Sequence, residues 1–263
     1  MEVAYATAVM MNHLSTMAQT LILLSTGEFS MVRLNDRHCS GSSIMPQKRN
    51  PCSLEVLKAK ASFAHGVVAS LLSLGKGLFM GYNRDTQWTK YWIMDLVDES
   101  RPALSVMTEV ICLLKVHQAR MLEQAQKDFS GATSLMEGMV RLFDVPLRKA
   151  KMALEKAVRY SEEEGSPEVS YGSLQKALRE MKMNLSITEE EMRKLQRPET
   201  TLAQTHSVGT PSERRIKDNI VSLQARVRTA RVWVLQKRRS LQKAKDLVLR
   251  MEKELMVERT KTV

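Results

Sequence analysis

The residues best suited to chemistry are gathered in one run, Gly41-Ser42-Ser43-Ile44-Met45-Pro46-Gln47-Lys48-Arg49-Asn50-Pro51. Gly41 and the two serines supply a flexible polar backbone with free N–H groups, and Lys48, Arg49 and Asn50 add cationic and amide donors. Such a segment can close on an anion, its successive N–H groups forming a nest around it. A hydroxyl beside lysine and backbone donors is also a candidate for proton transfer. Serine is a poor base in water because its alkoxide is unstable, but a closed, dry and positively charged loop would stabilise that alkoxide. On composition alone, an ordinary basic surface loop is the stronger reading.

The elements that must position this run are helical. Glycine (11 of 263 residues) and proline (7) are sparse, aromatics make up 5%, and Leu, Met, Ala, Lys, Arg and Glu are plentiful. These residues lose least on entering a helix, so the chain is expected to be all-α. Residues 1 to about 26 read as a helix with Val3, Met10, Met17, Leu21 and Leu24 along its apolar stripe. It has no N-cap and no preceding loop, which suggests that an upstream part is lost or encoded elsewhere. Periodicity stops from Gly27 to Pro51, a long and therefore functional-looking loop. A helix is expected from about Ser53 to Leu74, with Val56, Phe63, Val67, Leu71 and Leu74 on one face. Another is expected from about Gln87 to Ala125 through Ile93, Leu96, Met107, Ile111, Leu114 and Met121, kinked at Pro102.

Shorter helices follow at Thr133 to Leu142, Pro146 to Glu163, Tyr171 to Met183 and Thr188 to Leu195. Ser130-Gly131, Gly165-Ser166-Pro167 and Pro198 read as turns between them. Pro211 opens a final helix of about 45 residues, in which Ile216, Ile220, Leu223, Val227, Ala230, Val234, Leu241, Ala244, Val248, Met251 and Leu255 follow a 4-3 alternation broken at Lys237. The expected organisation is a partial helical bundle over 1–128 with the serine loop at 40–52, a small helical domain over 129–210, and a long basic helix over 211–263.

The net charge of +11 is concentrated at the end: Ser212 to Val263 hold 15 Lys and Arg against 6 Asp and Glu, a net of +9. Such a segment could attract nucleic acid or acidic surfaces, although a solvated helix face is the plainer reading. No window of 18 apolar residues suggests a membrane span, and no N-terminal leader pattern is read. Cys39, Cys52 and Cys112 are odd in number and lack metal-ligand spacing, so free thiols in a reducing cytoplasm are expected and no metal site is read.

The run from Gly41 to Pro51 matches, at every fixed position, the signature Gly-Ser-Ser-x-Met-Pro-x-Lys-x-Asn-Pro of the fumarase/aspartase superfamily. Gln47, the helix opening Ser53-Leu54-Glu55, and above all Tyr82-Asn83-Arg84-Asp85-Thr86-Gln87-Trp88-Thr89-Lys90 resemble the argininosuccinate lyases in particular. So do His13-Leu14-Ser15, Met17-Ala18 and Glu28-Phe29-Ser30. The resemblance is good from about residue 10 to 150 and then weakens. Cys52, where the family commonly has an acid, and Trp88 and Thr89 depart from its pattern without touching the motif positions.

The resemblance implies a homotetrameric bundle of long helices that cleaves argininosuccinate to arginine and fumarate without metal or organic cofactor. Carried over residue by residue, it makes Ser42 the group that exchanges the substrate's Cβ proton and Lys48 the cation that stabilises the resulting aci-carboxylate. Ser43 and Asn50 would bind substrate, Asn50 at the succinyl carboxylate, and Tyr82, Gln87 and Lys90 would hold the rest. Glu55 would orient a histidine from another subunit. Building a dianion beside a carboxylate requires nearby cations, which Lys48 and Lys90 are placed to supply.

Each residue also has a plainer role. Gln87 and Lys90 fit a solvated helix face, Tyr82 a packing position, and Glu55 an acid facing the helix dipole. The family's Thr-His region is not among these residues: none of His13, His38, His65, His117 and His206 sits in that motif. The chain therefore reads as the C-terminal half of such a lyase, requiring a partner that supplies the N-terminal half. The competing readings are a related lyase such as adenylosuccinate lyase, a non-catalytic helical assembly subunit, and a nucleic-acid binder.

Overall fold

A computed structural model describes residues 1–261, whose regular structure is almost entirely helical. The chain divides into two compact units, Met1–Ala125 and the remainder from Gln126.

The first unit is built on three long helices, α1 (Glu2–Leu24), α2 (Cys52–Gly75) and α3 (Thr89–Cys112). α1 packs on both of the others. Its buried face is Ala4, Ala8, Met11, Leu14, Ala18 and Leu21, rotated from the stripe expected from sequence. Of that stripe Leu21 is buried as expected, Val3 and Met17 are exposed, and Met10 and Leu24 only flank the core. α1 is apolar on nearly every side, so its periodicity leaves the inward face ambiguous. Alanines settle it by letting the neighbouring helices approach closely, since the interaxial distance depends on the side chains at the contact.

In α2 the expected face is kept in part, since Val67 and Leu71 of that face are buried. Leu54, Leu57, Ala61, Ala64, Val67 and Leu71 are buried there, while Val56 and Phe63 are exposed. α3 contributes Leu96, Ala103, Met107 and Val110. Each fully buried leucine or methionine in this core, such as Met11, Leu54 and Leu96, is worth about 1.5–3 kcal/mol over an exposed one.

The single helix expected from Gln87 to Ala125 is two. α3 stops at Cys112, and α4 (Gln118–Ala125) follows a two-residue strand β2 (Lys115–Val116). β2 pairs antiparallel with β1 (Val32–Arg33), Val32 opposite Val116 and Arg33 opposite Lys115. The break carries no glycine or proline to announce it. Long-range partners make it: His117 N–H donates to the Met31 carbonyl (2.9 Å), and Arg120 donates to the carbonyls of Phe29 (3.1 Å) and Glu28 (3.2 Å). Pro102 lies on the exposed side of α3, where Asp98, whose carbonyl loses its helical donor, is exposed as well.

The second unit contains α5 (Ala132–Phe143), α6 (Leu147–Glu163), α7 (Tyr171–Glu180), α8 (Glu189–Gln196) and α9 (Pro198–Gln204). Its core is centred on Leu135, Met139, Leu174, Leu178 and Met192. Buried Gln196 pairs with the backbone of Val169 in both directions, accepting from its N–H at 3.1 Å and donating to its carbonyl at 3.0 Å. Gly131 is required nearby, because a Cβ there would meet the Gln196 carbonyl oxygen at 2.4 Å. α7 ends three residues earlier than expected, with Lys182 turned into the left-handed region at φ 52. Pro198, read as a turn, instead occupies the first position of α9, where its missing N–H costs nothing. The final helix, α10 (Glu213–Lys261), is longer than expected at 49 residues. The side chains of Leu255 and of residues 257–261, and residues 262–263 altogether, lie outside the described residues.

Candidate active site

Backbone closes the serine loop at its foot. Ser40 N–H donates to the Asn50 carbonyl (2.9 Å) and Asn50 N–H to the Ser40 carbonyl (2.8 Å), so residues 41–49 form one excursion. The Ser40 hydroxyl and Cys52 thiol, 2.7 Å apart, add a side-chain link at the start of α2. Inside the excursion Lys48 N–H donates to the Met45 carbonyl (3.1 Å), turning the chain around Pro46 and Gln47.

Ser42 is half-buried, and its Oγ accepts N–H groups from Ile44 (3.3 Å) and Met45 (3.1 Å). Both donors converge on the atom where alkoxide charge would sit, and hydrogen bonds to a charged form favour it. Asn50 Nδ2 donates to the Gly41 carbonyl (3.4 Å). Ser43 and Lys48 are exposed. Glu55, exposed in the first turn of α2, makes no side-chain hydrogen bond or ion pair among the described residues.

Arg49 and His38 anchor the foot of the loop. Arg49 donates through Nη2 to the Leu34 carbonyl (2.8 Å) and forms an ion pair with Asp36. Buried His38 bonds through Nδ1 to Ser53 Oγ (3.2 Å). A cavity of about 270 Å³ opens there among Val32, Leu34, Cys39, Arg49, Pro51 and His117. The one clue in sequence was a cation at the variable motif position 49; Asp36 and Leu34 offered none.

The segment from Tyr82 to Lys90 forms a short turn that leads into α3. The Gln87 side-chain amide donates to the Tyr82 hydroxyl, both on exposed residues around a 3-10 turn at Arg84–Trp88. The Lys90 ammonium lies 5.3 Å from the centre of the Tyr91 ring, which contacts Trp88 at 5.2 Å between ring centres.

One chain does not bring the two clusters together. The Lys60–Glu99 ion pair and the 3.1 Å Arg37–Glu109 ion pair set α3 antiparallel to α2, its C-terminal end beside the serine loop. Lys90 lies nine residues before Glu99, and Lys60 eight residues into α2. At 1.5 Å per residue, Lys90 is therefore about 25 Å along the bundle from the foot of the loop. Among the described residues no hydrogen bond or ion pair joins the loop to Tyr82, Gln87 or Lys90.

A family model described as lyase matches residues 1–66. The argininosuccinate lyase of Symbiobacterium thermophilum is 34% identical over 208 residues, 79% of this chain and 44% of that protein. Among solved structures, an EDDS lyase variant with bound fumarate superposes with a TM-score of 0.75 at 24% identity, over 88% of this chain and 46% of that one. A class II fumarase from Schistosoma mansoni superposes with a TM-score of 0.60 at 16% identity, over 78% and 39%. The chain thus spans less than half the length of each. By sequence the chain is similar to argininosuccinate lyases over part of their length, and its fold is a long-helix bundle like those of the EDDS lyase and the class II fumarase.

Proposed function

We propose that this chain is the serine-loop part of an argininosuccinate lyase, a carbon–nitrogen lyase of arginine biosynthesis that releases arginine and fumarate in the cytoplasm. The observation that carries the reading is the complete loop motif with two backbone N–H groups aimed at Ser42 Oγ. Ser42 takes the Cβ proton, and the electron pair of that bond enters the neighbouring carboxylate. Lys48 balances the dianion, and Asn50 and Ser43 hold it in place. Collapse of the dianion forms the C=C bond and expels the guanidino nitrogen, which is protonated from the histidine side. The electron sink is the substrate's own carboxylate, so the step needs no metal or organic cofactor.

Tyr82, Gln87 and Lys90 hold substrate in a site that draws its serine loop from a different copy. Their separation of about 25 Å along one bundle favours this arrangement. Glu55 orients a histidine donated by the chain that carries the Thr-His region. The assembly is a homotetramer, or its equivalent built with that second chain. Exposed Tyr5, Met17, Val56 and Phe63 on α1 and α2 are the surfaces it would cover.

The test is to purify the chain with a product supplying the missing region and follow fumarate release from argininosuccinate. Activity in the mixture that Ser42→Ala abolishes supports the proposal; a mixture that assembles but stays inert ends it. That inert assembly is the second reading, a non-catalytic helical subunit, which the exposed length of α10 from Ile216 to Glu254 favours.

A further inference from the structure

α10 carries none of the residues assigned to the lyase chemistry, and it is the longest element among the described residues. From Ile216 to Glu254 every residue is exposed. Its apolar residues recur every three and four positions, with Ile216, Ile220, Leu223, Val227, Val234 and Leu241 forming the seam; Val227 and Leu241 are each 64% exposed. The repeat runs to Met251, about 54 Å or five heptads of helix, more than the three or four that mark a coiled-coil partner surface.

Charge decides what the seam can take. Between Asp218 and Asp246 there is no carboxylate, while eight Lys and Arg occur. Four of these, Arg226, Arg231, Arg238 and Lys245, occupy the positions that flank the seam and would face a partner helix. In a parallel pair of copies Arg226 of one chain would face Arg231 of the other; in an antiparallel pair the row of Arg231, Arg238 and Lys245 would face itself. Lys237, inside the seam with its ammonium 5.8 Å from the Trp233 ring centre, would also be set close to another cation.

A second copy is therefore disfavoured. A bilayer fits poorly as well, because Arg228 and Arg239 place cations on the remaining sides and leave no broad uncharged face. A nucleic acid would match the charge but leave the apolar seam in water. We infer that α10 is a docking surface for an amphipathic α-helix whose apolar seam is flanked by aspartate or glutamate.

The full chain is titrated with a labelled peptide of about five heptads carrying Val and Leu on the seam and Glu at every flanking position, and with the same peptide carrying Lys there. The Glu peptide should bind at least about tenfold more tightly, and its affinity should fall several-fold between about 0.05 and 0.3 M salt. Reversing Arg226, Arg231, Arg238 and Lys245 to Glu should transfer binding to the Lys peptide, with far-UV circular dichroism confirming that helix content is kept. Val227→Asp with Leu241→Asp should weaken the complex by at least about tenfold. Equal binding of both peptides, binding of neither, tighter binding of an oligouridylate than of the Glu peptide, or self-association lost in the Val227→Asp, Leu241→Asp chain would each overturn the inference.

Discussion

Arg49 reaches out of the serine loop to Asp36, and the same guanidinium donates to the Leu34 carbonyl at 2.8 Å. The loop is thereby tied to the segment that follows β1. Because Asp36 is largely exposed, the tether is modest, about 1 kcal/mol or less, enough to change the open population about fivefold. Arg49→Ala should raise amide exchange at residues 41–48 by about that factor, with Asp36→Asn giving part of the effect and Arg49→Lys retaining some protection. Unchanged exchange in Arg49→Ala would show that the Ser40–Asn50 pair alone sets the loop.

The separation of the two clusters makes a genetic prediction. A chain carrying Ser42→Ala and a chain carrying Lys90→Ala are each expected to be inactive once assembled with the missing region. Mixed assemblies should recover activity in about a quarter of their sites, because an intact loop from one copy can meet an intact Lys90 from another. Absence of recovery in mixed oligomers would mean that one chain supplies both groups.

α8 should respond to acid. Thr188 caps it and its hydroxyl accepts the Glu191 N–H at 3.2 Å, while the Glu191 carboxylate accepts from the Thr188 backbone. The backbone N–H of Thr188, and then its hydroxyl, hold the Glu191 carboxyl below its ordinary value of 4.5. A carboxyl depressed in the folded state contributes stability above its unfolded value and loses it as pH falls through the folded one. Melting temperature should drop below about pH 4.5 more steeply for the native chain than for Glu191→Gln. Thr188→Ala should cost about 1 kcal/mol at neutral pH. Parallel pH profiles for native and Glu191→Gln chains would refute the linkage.

The chain purified alone should self-associate. Val56 and Phe63 line an open groove between α2 and α3, and Tyr5 and Met17 project from α1. Exposed apolar side chains of this kind favour association. Phe63→Glu should shift sedimentation toward smaller species, whereas a monodisperse native monomer would contradict the expectation.

Local chemistry determined much of this protein. Helix-forming composition announced the all-α class, the turn residues placed most boundaries, and the uninterrupted motif from Gly41 to Pro51 located the loop that carries Ser42. Thr188 and Pro146 marked helix starts because a cap acts within a few residues.

Tertiary structure decided the rest. In α1, Ala4 and Ala8 went inward and Val3 outward because close approach of helices, not hydrophobicity alone, selects the face. The break before α4 came from partners more than eighty residues away in β1 and the Phe29–Met31 turn. The distance between Ser42 and Lys90 follows from the antiparallel register of α2 and α3, which depends on pairs such as Lys60 and Glu99 that only the folded chain brings together.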